Sequence, residues 1–267
     1  MTTQTACETC PVHNVGNLTK LGVDLDKTDF VIALAGNPNT GKSTVFNALT
    51  GLRQHTGNWP GKTVTRAEGA FQYQDKRYKI VDLPGTYSLF STSTDEEIAR
   101  NFILFGQPDV TIIVVDATRL ERNLNLVLQV LEITDRAIVC VNLVDEAERH
   151  RISIEDRLLS KKLGVPVILT AARQNRGIDQ LLSAIHDVVT GAFVCQPYRI
   201  QGTSRSLERA IKELSDALVQ RFPGLTNERW IALRLLDGDD QVVQAVQTGD
   251  LKSLSRVSNQ QNSEVPA

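Results

Sequence analysis

The feature that most constrains this chain is the run GNPNTGKS at Gly36–Ser43. It fits the pattern GxxxxGK[ST] and lies between an apolar run and a helical pattern, the context in which that pattern forms a phosphate-binding loop. Its glycines let backbone N–H groups converge on phosphate oxygens, and the following helix N-terminus adds partial positive charge. Lys42 is expected to neutralise the β- and γ-phosphates, and the Ser43 hydroxyl to ligate Mg²⁺. The sequence therefore predicts a nucleotide-binding protein rather than a chance glycine-rich turn.

Short apolar runs alternate with helical patterns on both sides of this loop. The predicted strands are FVIALAG, AEGAFQYQ, RYKIVDLPG, VTIIVVDA, RAIVCVNLVD and PVILT. The predicted helices are KSTVFNALTG, STDEEIARNFILFG, LERNLNLVLQVLE, SIEDRLLSKKLG and GIDQLLSAIHDVV. Thr94 and Glu97 have capping-box spacing, and the helix that they begin is expected to end at Gly106. The alternation predicts an α/β fold, a mostly parallel sheet covered by helices on both faces.

The pattern changes along the chain and predicts four segments. Residues 1–28 are polar and lack periodicity, so we expect a loose, flexible extension. Residues 29–192 form the nucleotide-binding domain, residues 193–254 a small all-helical domain, and residues 255–267 a polar tail or linker. A length of 267 residues suits one large α/β domain with a small appendage.

Composition restricts the function classes. A hydrophobic content of 41% and a charged content of 22% are those of a soluble globular protein. The net charge of −2 argues against a nucleic-acid partner, because nucleic-acid binders usually carry a basic balance. No secretory signal is visible, and no run reaches the roughly 18 apolar residues of a membrane helix. We expect a chain that is soluble and cytoplasmic as given.

A second motif, DLPG, ends a later strand. The Asp82 carboxylate is expected to hold Mg²⁺, through water, and the Gly85 amide to contact the γ-phosphate. Leu83 and Pro84 complete the motif. Many small GTPases place a water-orienting Gln next, whereas this chain has Thr86. We therefore expect slow hydrolysis, with the water held by backbone groups and Thr86.

A third motif, NLVD at Asn142–Asp145, also follows a strand. The Asp145 carboxylate can accept hydrogen bonds from N1–H and the 2-amino group of guanine. Adenine has neither donor and would leave the carboxylate unpaired, a mismatch that costs on the order of 10³-fold in preference. The motifs together therefore predict GTP. Ala171 and Ala172, in the last base-binding loop, offer only backbone groups, so we expect poor nucleotide retention.

These three motifs, in this order, resemble those of the TRAFAC-class, Ras-like P-loop GTPases. The third motif is usually NKxD, and Leu143 here stands in place of the lysine whose stem packs over the base. The resemblance makes HTGNWPGKTV, at His55–Val64, the first switch region (switch I). Thr63 is then the switch threonine that reaches Mg²⁺ and the γ-phosphate, and Gly61 and Lys62 lie beside it.

The runs GNWPGKT, DLPGTYSL, DATRLERNL and NLVD further resemble the N-terminal G domain of the bacterial ferrous iron transport protein B family, FeoB. The resemblance covers about residues 30–190 and extends, less specifically, to 200–252. In that family the helical segment is a GDI-like domain that favours GDP binding and links to the membrane part. The resemblance implies a cytoplasmic domain of a bacterial inner-membrane protein. Its implied partners are GTP or GDP, the membrane-embedded region of the full-length protein and small iron-transport accessory proteins.

The family also suggests why a loop carries a tryptophan. In its potassium-activated members an asparagine matching Asn39 ligates K⁺, and backbone carbonyls matching Gly57 and Trp59 complete the site. A cation there stabilises developing charge as an arginine finger does elsewhere. The alternative is that Trp59 packs on the surface and Asn39 only makes a turn. Metal ligands are thus expected at Ser43, Thr63 and Asp82 for Mg²⁺ and at Asn39, Gly57 and Trp59 for K⁺.

The expected site residues form two sets. The catalytic set comprises Lys42, Asn39, Thr63, Gly85 and Thr86. The nucleotide-binding set comprises Gly36, Asn37, Pro38, Asn39, Thr40, Gly41, Lys42, Ser43, Thr44, Gly61, Lys62, Thr63, Asp82, Leu83, Pro84, Gly85, Asn142, Leu143, Asp145, Ala171 and Ala172.

Two other function classes share these motifs. An RNA- or ribosome-associated GTPase would need a basic appendage, and residues 200–252 mix Arg and Lys with many acids. A nucleotide-gated binding module would exchange GTP and GDP with negligible turnover.

The four cysteines of the chain are not part of these motifs. Cys7 and Cys10 form a CxxC that His13 follows, which is either a metal or redox site or a pair of incidental thiols in a polar tail. Cys140 lies in an apolar run and is expected to be buried, and Cys195 stands alone.

Overall fold

The structure is a computed structural model, and it describes residue 13 and residues 15–51, 54–90, 93–199, 204–225 and 227–249. The chain divides into two compact units, Met1–Arg199 and Ile200–Ala267. The segment after residue 192 is joined to the first unit, because the Gln196 amide donates to the Gly164 carbonyl (2.8 Å) and the Tyr198 amide to the Leu163 carbonyl (2.9 Å).

The first unit is built on a seven-stranded sheet of order β2-β3-β4-β1-β5-β6-β7. Its strands are β1 (Phe30–Gly36), β2 (Gln54–Asn58), β3 (Thr65–Tyr73), β4 (Lys76–Asp82), β5 (Val110–Asp116), β6 (Ala137–Asn142) and β7 (Val167–Leu169). Strand β3 pairs antiparallel with β2 and β4, and the pairs β4–β1, β1–β5, β5–β6 and β6–β7 are parallel. The predicted mostly parallel α/β sheet is confirmed.

Helices cover the sheet as the alternation predicts. Within the described residues of the first unit they are α1 (Val15–Lys20), α2 (Lys42–Thr50), α3 (Thr94–Asn101), α4 (Leu120–Ile133), α5 (Val144–Arg149), α6 (Asp156–Leu163) and α7 (Ile178–Val189). Strands β1 and β6 are buried along their whole lengths, because helices pack on both faces of the sheet centre. Phe46 of α2 and Leu181 and Ile185 of α7 join one core cluster with the apolar side chains of β1, β4 and β5.

The predicted capping box at Thr94 and Glu97 is wrong by one residue. Ser93 is the N-cap of α3, and its hydroxyl accepts a hydrogen bond from the Glu96 amide (3.3 Å). Thr94 is the first helical residue because the serine that precedes it already satisfies the cap. After α3 the chain continues as a π-helical turn, Phe102–Gly106, which ends at the predicted glycine.

The N-terminal segment differs from the loose extension expected for residues 1–28. Its described part carries α1, in which Leu18 is fully buried, and the Asn17 side-chain amide donates to the Phe105 carbonyl (2.8 Å). The segment is therefore packed against the π-helical turn. Cys7 and Cys10 lie outside the described residues.

The switch I stretch, expected to be a loop, begins as an edge strand. Gln54–Asn58 is β2, and its residue Gly57 lies opposite Arg66 of β3. Its sequence QHTGN has no apolar alternation, so its pairing with β3 supplies the order that the pattern does not predict.

The second unit is helical in its described part, as predicted. It contains α8 (Arg205–Arg221), α9 (Glu228–Leu236) and α10 (Asp240–Thr248). Ser204 caps α8 by accepting from the Leu207 amide (3.2 Å), and the buried Ile211 and Ile231 lie on α8 and α9. No helix within the described residues of either unit has the length and apolar character needed to cross a bilayer.

Candidate functional site

The predicted motifs meet at one edge of the sheet. Strands β1, β4 and β6 run parallel within the block β4-β1-β5-β6, and each is followed directly by one motif. The carboxyl ends of parallel strands lie at the same edge, where open α/β sheets bind their ligands. The fold therefore brings the phosphate-binding loop, DLPG and NLVD to a common edge.

The phosphate-binding loop depends on its glycines for shape. Gly41 has φ of +78°, and a Cβ there would lie 2.4 Å from Nδ2 of Asn142. A Cβ on Gly36 would lie 2.5 Å from the Val114 carbonyl oxygen. Asn39, also left-handed at φ +66°, has an exposed side chain. The loop is thus held in a tight turn by close contacts that only glycine allows at two of its positions.

Lys42 and Asp82 meet beneath this loop. The Lys42 ammonium contacts the Asp82 carboxylate and donates to the Leu83 carbonyl (2.7 Å). Burial raises the pKa of the Asp82 carboxyl, and the neighbouring Lys42 charge partly opposes that increase. A partly buried carboxylate whose ionised form depends on a nearby cation is suited to a site that also takes Mg²⁺, and the Ser43 hydroxyl is exposed at the start of α2.

The DLPG segment is joined to the phosphate-binding strand by backbone hydrogen bonds. The Leu83 amide donates to the Leu34 carbonyl (3.0 Å), and the Thr86 amide donates to the Gly36 carbonyl (3.2 Å). Thr86 is buried, and Gly85 lies beside Pro38, at 3.5 Å from the position of an added Cβ. The segment that follows β4 is therefore fixed against the phosphate-binding loop.

Asn142 connects three loops. Its side-chain Nδ2 donates to the Thr40 carbonyl (3.0 Å), and its Oδ1 accepts from the Thr170 hydroxyl (3.2 Å) and the Ala172 amide (3.1 Å). The residue is almost completely buried. Asn142 thus braces the phosphate-binding loop against the segment predicted to hold the base.

The groups predicted to read guanine already have protein partners. The Asp145 carboxylate accepts from the Gln174 side-chain amide (3.1 Å) and from Arg149 (3.3 Å). The Ala171 amide donates to the Arg176 carbonyl (3.1 Å), and the Ala172 amide is the one that donates to Asn142. The sequence did not single out Gln174, although it lies in the quoted loop TAARQNRG.

Trp59 is an anchor for switch I. It is only 2% exposed, and its ring meets that of Phe102 edge to face with centroids 5.7 Å apart. The Arg66 guanidinium lies over the indole at 5.5 Å from the ring centroid. The alternative that Trp59 packs on the surface is therefore wrong. Its Nε1 has no hydrogen-bond partner in the part of the chain that the structure describes, so apolar and cation–π contacts hold the ring in place.

The rest of switch I forms a short turn beyond this anchor. The Trp59 amide donates to the Val64 carbonyl (3.0 Å), and the Lys62 amide donates back to the Trp59 carbonyl (3.0 Å). The Lys62 side chain pairs with Glu97 of α3 (3.1 Å), and Thr63 is exposed. The carbonyl of Trp59, one predicted K⁺ ligand, is thus occupied by a backbone hydrogen bond in this conformation.

A cavity of about 450 Å³ opens beside the phosphate-binding loop. Its lining residues include the predicted site residues Asn37, Pro38, Asn39, Thr40, Gly41 and Leu143. Gly57, Trp59 and Thr63 do not contribute to that lining. The structure therefore gathers the loop and part of NLVD around one space and leaves these switch I residues outside it.

Several residues of this cavity were not predicted from the sequence. They are Tyr87, Asp116, Thr118, Arg119, Arg122, Asn123 and Glu146. Asp116 ends β5 and accepts from the Thr118 amide (2.8 Å), and the Arg122 guanidinium lies 4.7 Å from the Tyr87 ring centroid. The rule that strand carboxyl ends share an edge applies to β5 as well, so the polar run DATRLERNL after that strand carried the signal.

Comparisons with known proteins identify the family that this chain is similar to. Residues 30–185 match the family described as ferrous iron transport protein B, and residues 204–265 match the FeoB cytosolic helical domain. The chain is 45% identical over 217 residues to the Fe(2+) transporter FeoB of Salmonella typhimurium, and 44% identical over 212 residues to that of Escherichia coli strain K12. Each alignment covers 78% of this chain and 27% of the relative, so the chain spans about a quarter of the length of the curated relatives that it matches.

Solved structures show the same similarity. The cytosolic domain of the T. maritima FeoB iron transporter in a GDP form is 34% identical, with a TM-score of 0.74 and coverage of 83% of this chain and 86% of that one. Its GMPPNP form is 32% identical, with a TM-score of 0.73 and coverage of 89% and 88%. The cytosolic domain of L. pneumophila FeoB is 32% identical, with a TM-score of 0.73 and coverage of 86% and 90%.

Proposed function

The chain belongs to the FeoB family of ferrous iron transport proteins, and on that basis we propose that it binds GTP and hydrolyses it slowly, as the regulatory G domain of a larger transporter. The observation that carries the proposal is the convergence of the phosphate-binding loop, DLPG and NLVD at one sheet edge, with Asn142 joining two of them. The GDP and GMPPNP forms of the T. maritima relative support guanine nucleotides as the ligands.

Phosphate binding is assigned to the loop and its flanking groups. Lys42 neutralises the β- and γ-phosphates. Its ammonium contacts Asp82 and the Leu83 carbonyl in the structure, and on nucleotide binding it also contacts the phosphate oxygens. Ser43, Thr63 and Asp82 would hold Mg²⁺, which supplies charge neutralisation at the phosphates. The Gly85 amide contacts the γ-phosphate and makes the second switch responsive to it.

Hydrolysis is assigned to positioning and electrostatics rather than to a general base. The Asn39 side chain is exposed at the cavity. The carbonyl oxygens of Gly57 and Trp59 are hard donors of the kind that K⁺ accepts, but to reach Asn39 both have to move into the cavity, and the Trp59 carbonyl has to leave the Lys62 amide. K⁺ would stabilise charge that develops between the phosphates. Thr86 lies where a glutamine orients water in other GTPases, so the rate is low, and a Thr86→Ala variant with unchanged turnover would remove its side chain from that role.

Base selection is assigned to Asp145 and its loop. The N1–H and 2-amino groups of guanine replace the Gln174 and Arg149 side chains as donors to the Asp145 carboxylate. Those two side chains therefore have to move when the base binds. Leu143 lacks the charge and the long stem of the usual lysine, and the amides of Ala171 and Ala172 are already paired. The nucleotide is therefore released readily.

The nucleotide state of this chain acts on a partner outside it. The switch regions and the helical domain transmit the nucleotide state to the membrane-embedded region of the full-length protein, in a bacterial inner membrane, with small accessory proteins as further partners. Nucleic acid has no place in this proposal, because the chain carries a net charge of −2.

The test is phosphate release from GTP in KCl and in NaCl, by the wild-type chain and by Asn39→Ala and Asn39→Gly. The glycine variant is included because Asn39 has a left-handed backbone that alanine adopts with strain, whereas glycine adopts it freely. We expect stimulation by K⁺ in the wild-type chain and its loss in both variants. Exposed Asn125→Ala on α4 is the matched control and should keep the stimulation.

Each other outcome is informative. Equal slow rates in both salts would overturn the K⁺ site and leave GTP hydrolysis standing. Nucleotide binding without phosphate release above background would favour the nucleotide-gated module instead.

A further inference from the structure

The N-terminal segment, residues 15–28, packs against β3 and the π-helical turn. Its side chains Leu18 and Val23 are 0% and 3% exposed. A Cβ added to Gly106 of the turn would lie 2.9 Å from Leu18 Cδ2, so the segment approaches that turn closely. The match to the transporter family begins at residue 30, and the segment therefore precedes the part of the chain that the family model covers.

One arginine of the sheet holds the backbone of this segment. Arg66 of β3 donates to the carbonyls of Leu21 and Gly22 (both 2.7 Å). Its Nε lies 2.9 Å from the Glu68 carboxylate, and the two side chains are 14% and 9% exposed. Hydrogen bonds from a charged donor are among the stronger ones, and low exposure limits their screening by water. The segment and Arg66 therefore fix each other's position.

The same guanidinium contacts switch I. It lies over the Trp59 indole at 5.5 Å from the ring centroid. A Cβ added to Gly22 would lie 2.5 Å from Arg66 Nη1 and 3.1 Å from Pro60 Cγ in switch I. Gly22 has φ of +82°, so glycine suits both the left-handed backbone and the lack of space. The segment, Arg66 and switch I therefore meet at one point.

The second contact of the Trp59 ring is braced by the same segment. The ring meets that of Phe102, the first residue of the π-helical turn, with centroids 5.7 Å apart. The Asn17 side-chain amide of the segment donates to the Phe105 carbonyl of that turn (2.8 Å). Both groups that hold the ring are thus themselves in contact with the N-terminal segment.

These contacts keep switch I away from the proposed K⁺ site. Gly57 and Trp59 do not line the cavity at which Asn39 is exposed. For its carbonyl to meet Asn39 the Trp59 backbone has to move, and the ring, only 2% exposed, has to leave its contacts. A site that is assembled in only a fraction of the molecules binds its ligand with an apparent affinity reduced by that fraction.

Given the K⁺ site of the proposed function, on which this inference rests, we propose that Arg66 is a positioning residue that keeps the Trp59 carbonyl out of that site. Residues 15–28 act through Arg66 as a brake on assembly of the site. Detachment of the segment frees Arg66 and lets the carbonyl reach Asn39 at a lower K⁺ concentration. The maximal rate, which is reached once the site is full, stays the same.

The experiment is a K⁺ titration of phosphate release from GTP at constant ionic strength, with NaCl replacing KCl. Arg66→Gln removes the contact, and Gly22→Ala displaces the guanidinium from it. We expect each variant to lower the half-saturating K⁺ concentration by about 2- to 30-fold, the range that the loss of one cation–π contact corresponds to, with the maximal rate unchanged. The double variant should add little, because both changes break the same contact.

Two further variants calibrate this result. Gly238→Ala is the matched control, because Gly238 has φ of +77° and nothing lies within 4 Å of an added Cβ. It introduces the same backbone strain without a collision and should leave the titration unchanged. Arg66→Lys keeps a positive charge but lacks the planar fork that reaches two carbonyls, so it should give an intermediate half-saturating concentration.

A second measurement reports on Trp59 without nucleotide or K⁺. The chain has two tryptophans, so Trp230→Phe leaves Trp59 as the single one, and acrylamide quenching of its fluorescence measures its exposure. We expect weak quenching in this background and stronger quenching when Arg66→Gln or Gly22→Ala is added. This measurement does not depend on GTP hydrolysis.

The outcomes separate this proposal from the proposed function. K⁺ stimulation with the same half-saturating concentration in all variants would overturn the brake and leave the K⁺ site standing. Unchanged quenching would show that Arg66 does not hold the ring, and would also overturn the brake. Equal rates in KCl and NaCl in every protein would overturn the K⁺ site and the brake together. A lower maximal rate with an unchanged half-saturating concentration would reduce Arg66 to a structural contact.

Discussion

Asn39 and Leu143, which lack glycine's conformational freedom, adopt left-handed backbone at the nucleotide edge. Asn39 has φ of +66° and Leu143 has φ of +63°. Asparagine accepts this conformation readily, whereas leucine does so at a cost of about 1–2 kcal/mol. The strain at Leu143 is sustained because its neighbour Asn142 is fixed by three hydrogen bonds. The motif NxxD identifies Asn142 but not its hydrogen-bond partners, so the sequence does not predict this bracing role.

Replacing Asn142 tests the bracing role. Asn142→Ala leaves the Thr40 carbonyl, the Thr170 hydroxyl and the Ala172 amide without this partner. We expect a loss of about 2–3 kcal/mol in the free energy of unfolding, since buried polar groups lose their hydrogen bonds. Urea denaturation measures the loss, and a fluorescent GDP analogue should bind more weakly. Asn125→Ala on the exposed face of α4 is the control, and an equal effect there would contradict the assignment.

Cys140 is expected to lower the stability of the chain at alkaline pH. Burial raises the pKa of its thiol from 9.0 to about 12, because the folded state disfavours the thiolate. The stability that this shift contributes is fully present below pH 9 and is lost as the pH rises towards 12. We expect the urea midpoint to fall above pH 9, and to fall less steeply in Cys140→Ala. Parallel slopes in the two proteins would assign the alkaline loss to other groups.

At the scale of elements, the sequence predicts the buried strands but misses the polar elements that are ordered by contact with a neighbouring element. Strands β1 and β6 are continuous apolar runs, so their prediction needs only the preference of such runs for a covered sheet. Strand β2 and helix α1 are mostly polar, and each is ordered by contact with another element: β2 pairs with β3, the next strand along the chain, and α1 packs on the distant π-helical turn. The N-cap of α3 was misplaced because Ser93 and Thr94 are both good caps, and only geometry distinguishes them.

Arg66 links the N-terminal segment to switch I. Its guanidinium donates to the carbonyls of Leu21 and Gly22 (both 2.7 Å), pairs with Glu68 (2.9 Å) and covers the Trp59 ring. We expect Arg66→Gln to raise hydrogen exchange in residues 15–25 and 54–64 together, since both segments lose the same partner.

The expected size of the Arg66→Gln effect follows from the donor that is lost. Losing a partly buried charged donor costs about 1–3 kcal/mol, which hydrogen exchange reports as faster opening. Arg77→Gln, at an exposed position on β4, is the control and should leave both segments unchanged. Faster exchange in only one of the two segments would contradict the link.

At the scale of the whole molecule, the chain consists of two units whose limit lies at Arg199. The first unit contains the sheet and its core, and its residue range includes every residue of the predicted nucleotide site. Arg199 itself contacts the Glu132 carbonyl and the Asp135 carboxylate, so the first unit keeps these contacts when the second is removed.

Truncation after Arg199 tests what the helical unit contributes. We expect the shortened chain to keep its cooperative unfolding, because its core is self-contained. Since the helical domain is expected to favour GDP, we expect GDP release to accelerate by about fivefold or more, the low end of ordinary coupling energies. Stopped-flow release of a fluorescent GDP analogue measures this. A chain ending at residue 249 is the control, and equal acceleration there would assign the effect to the last residues instead.

The buried ring of Trp59 has a consequence for the entropy of closing the active site. With Gln54–Asn58 paired in the sheet and Trp59 fixed against Phe102, the turn left to be reshaped around a γ-phosphate is Pro60–Thr63. Ordering a residue costs on the order of 1–2 kcal/mol, so a four-residue turn demands far less than a free loop of eleven. The free energy that a bound ligand must supply to close the switch is correspondingly smaller than it would be for a free loop of that length.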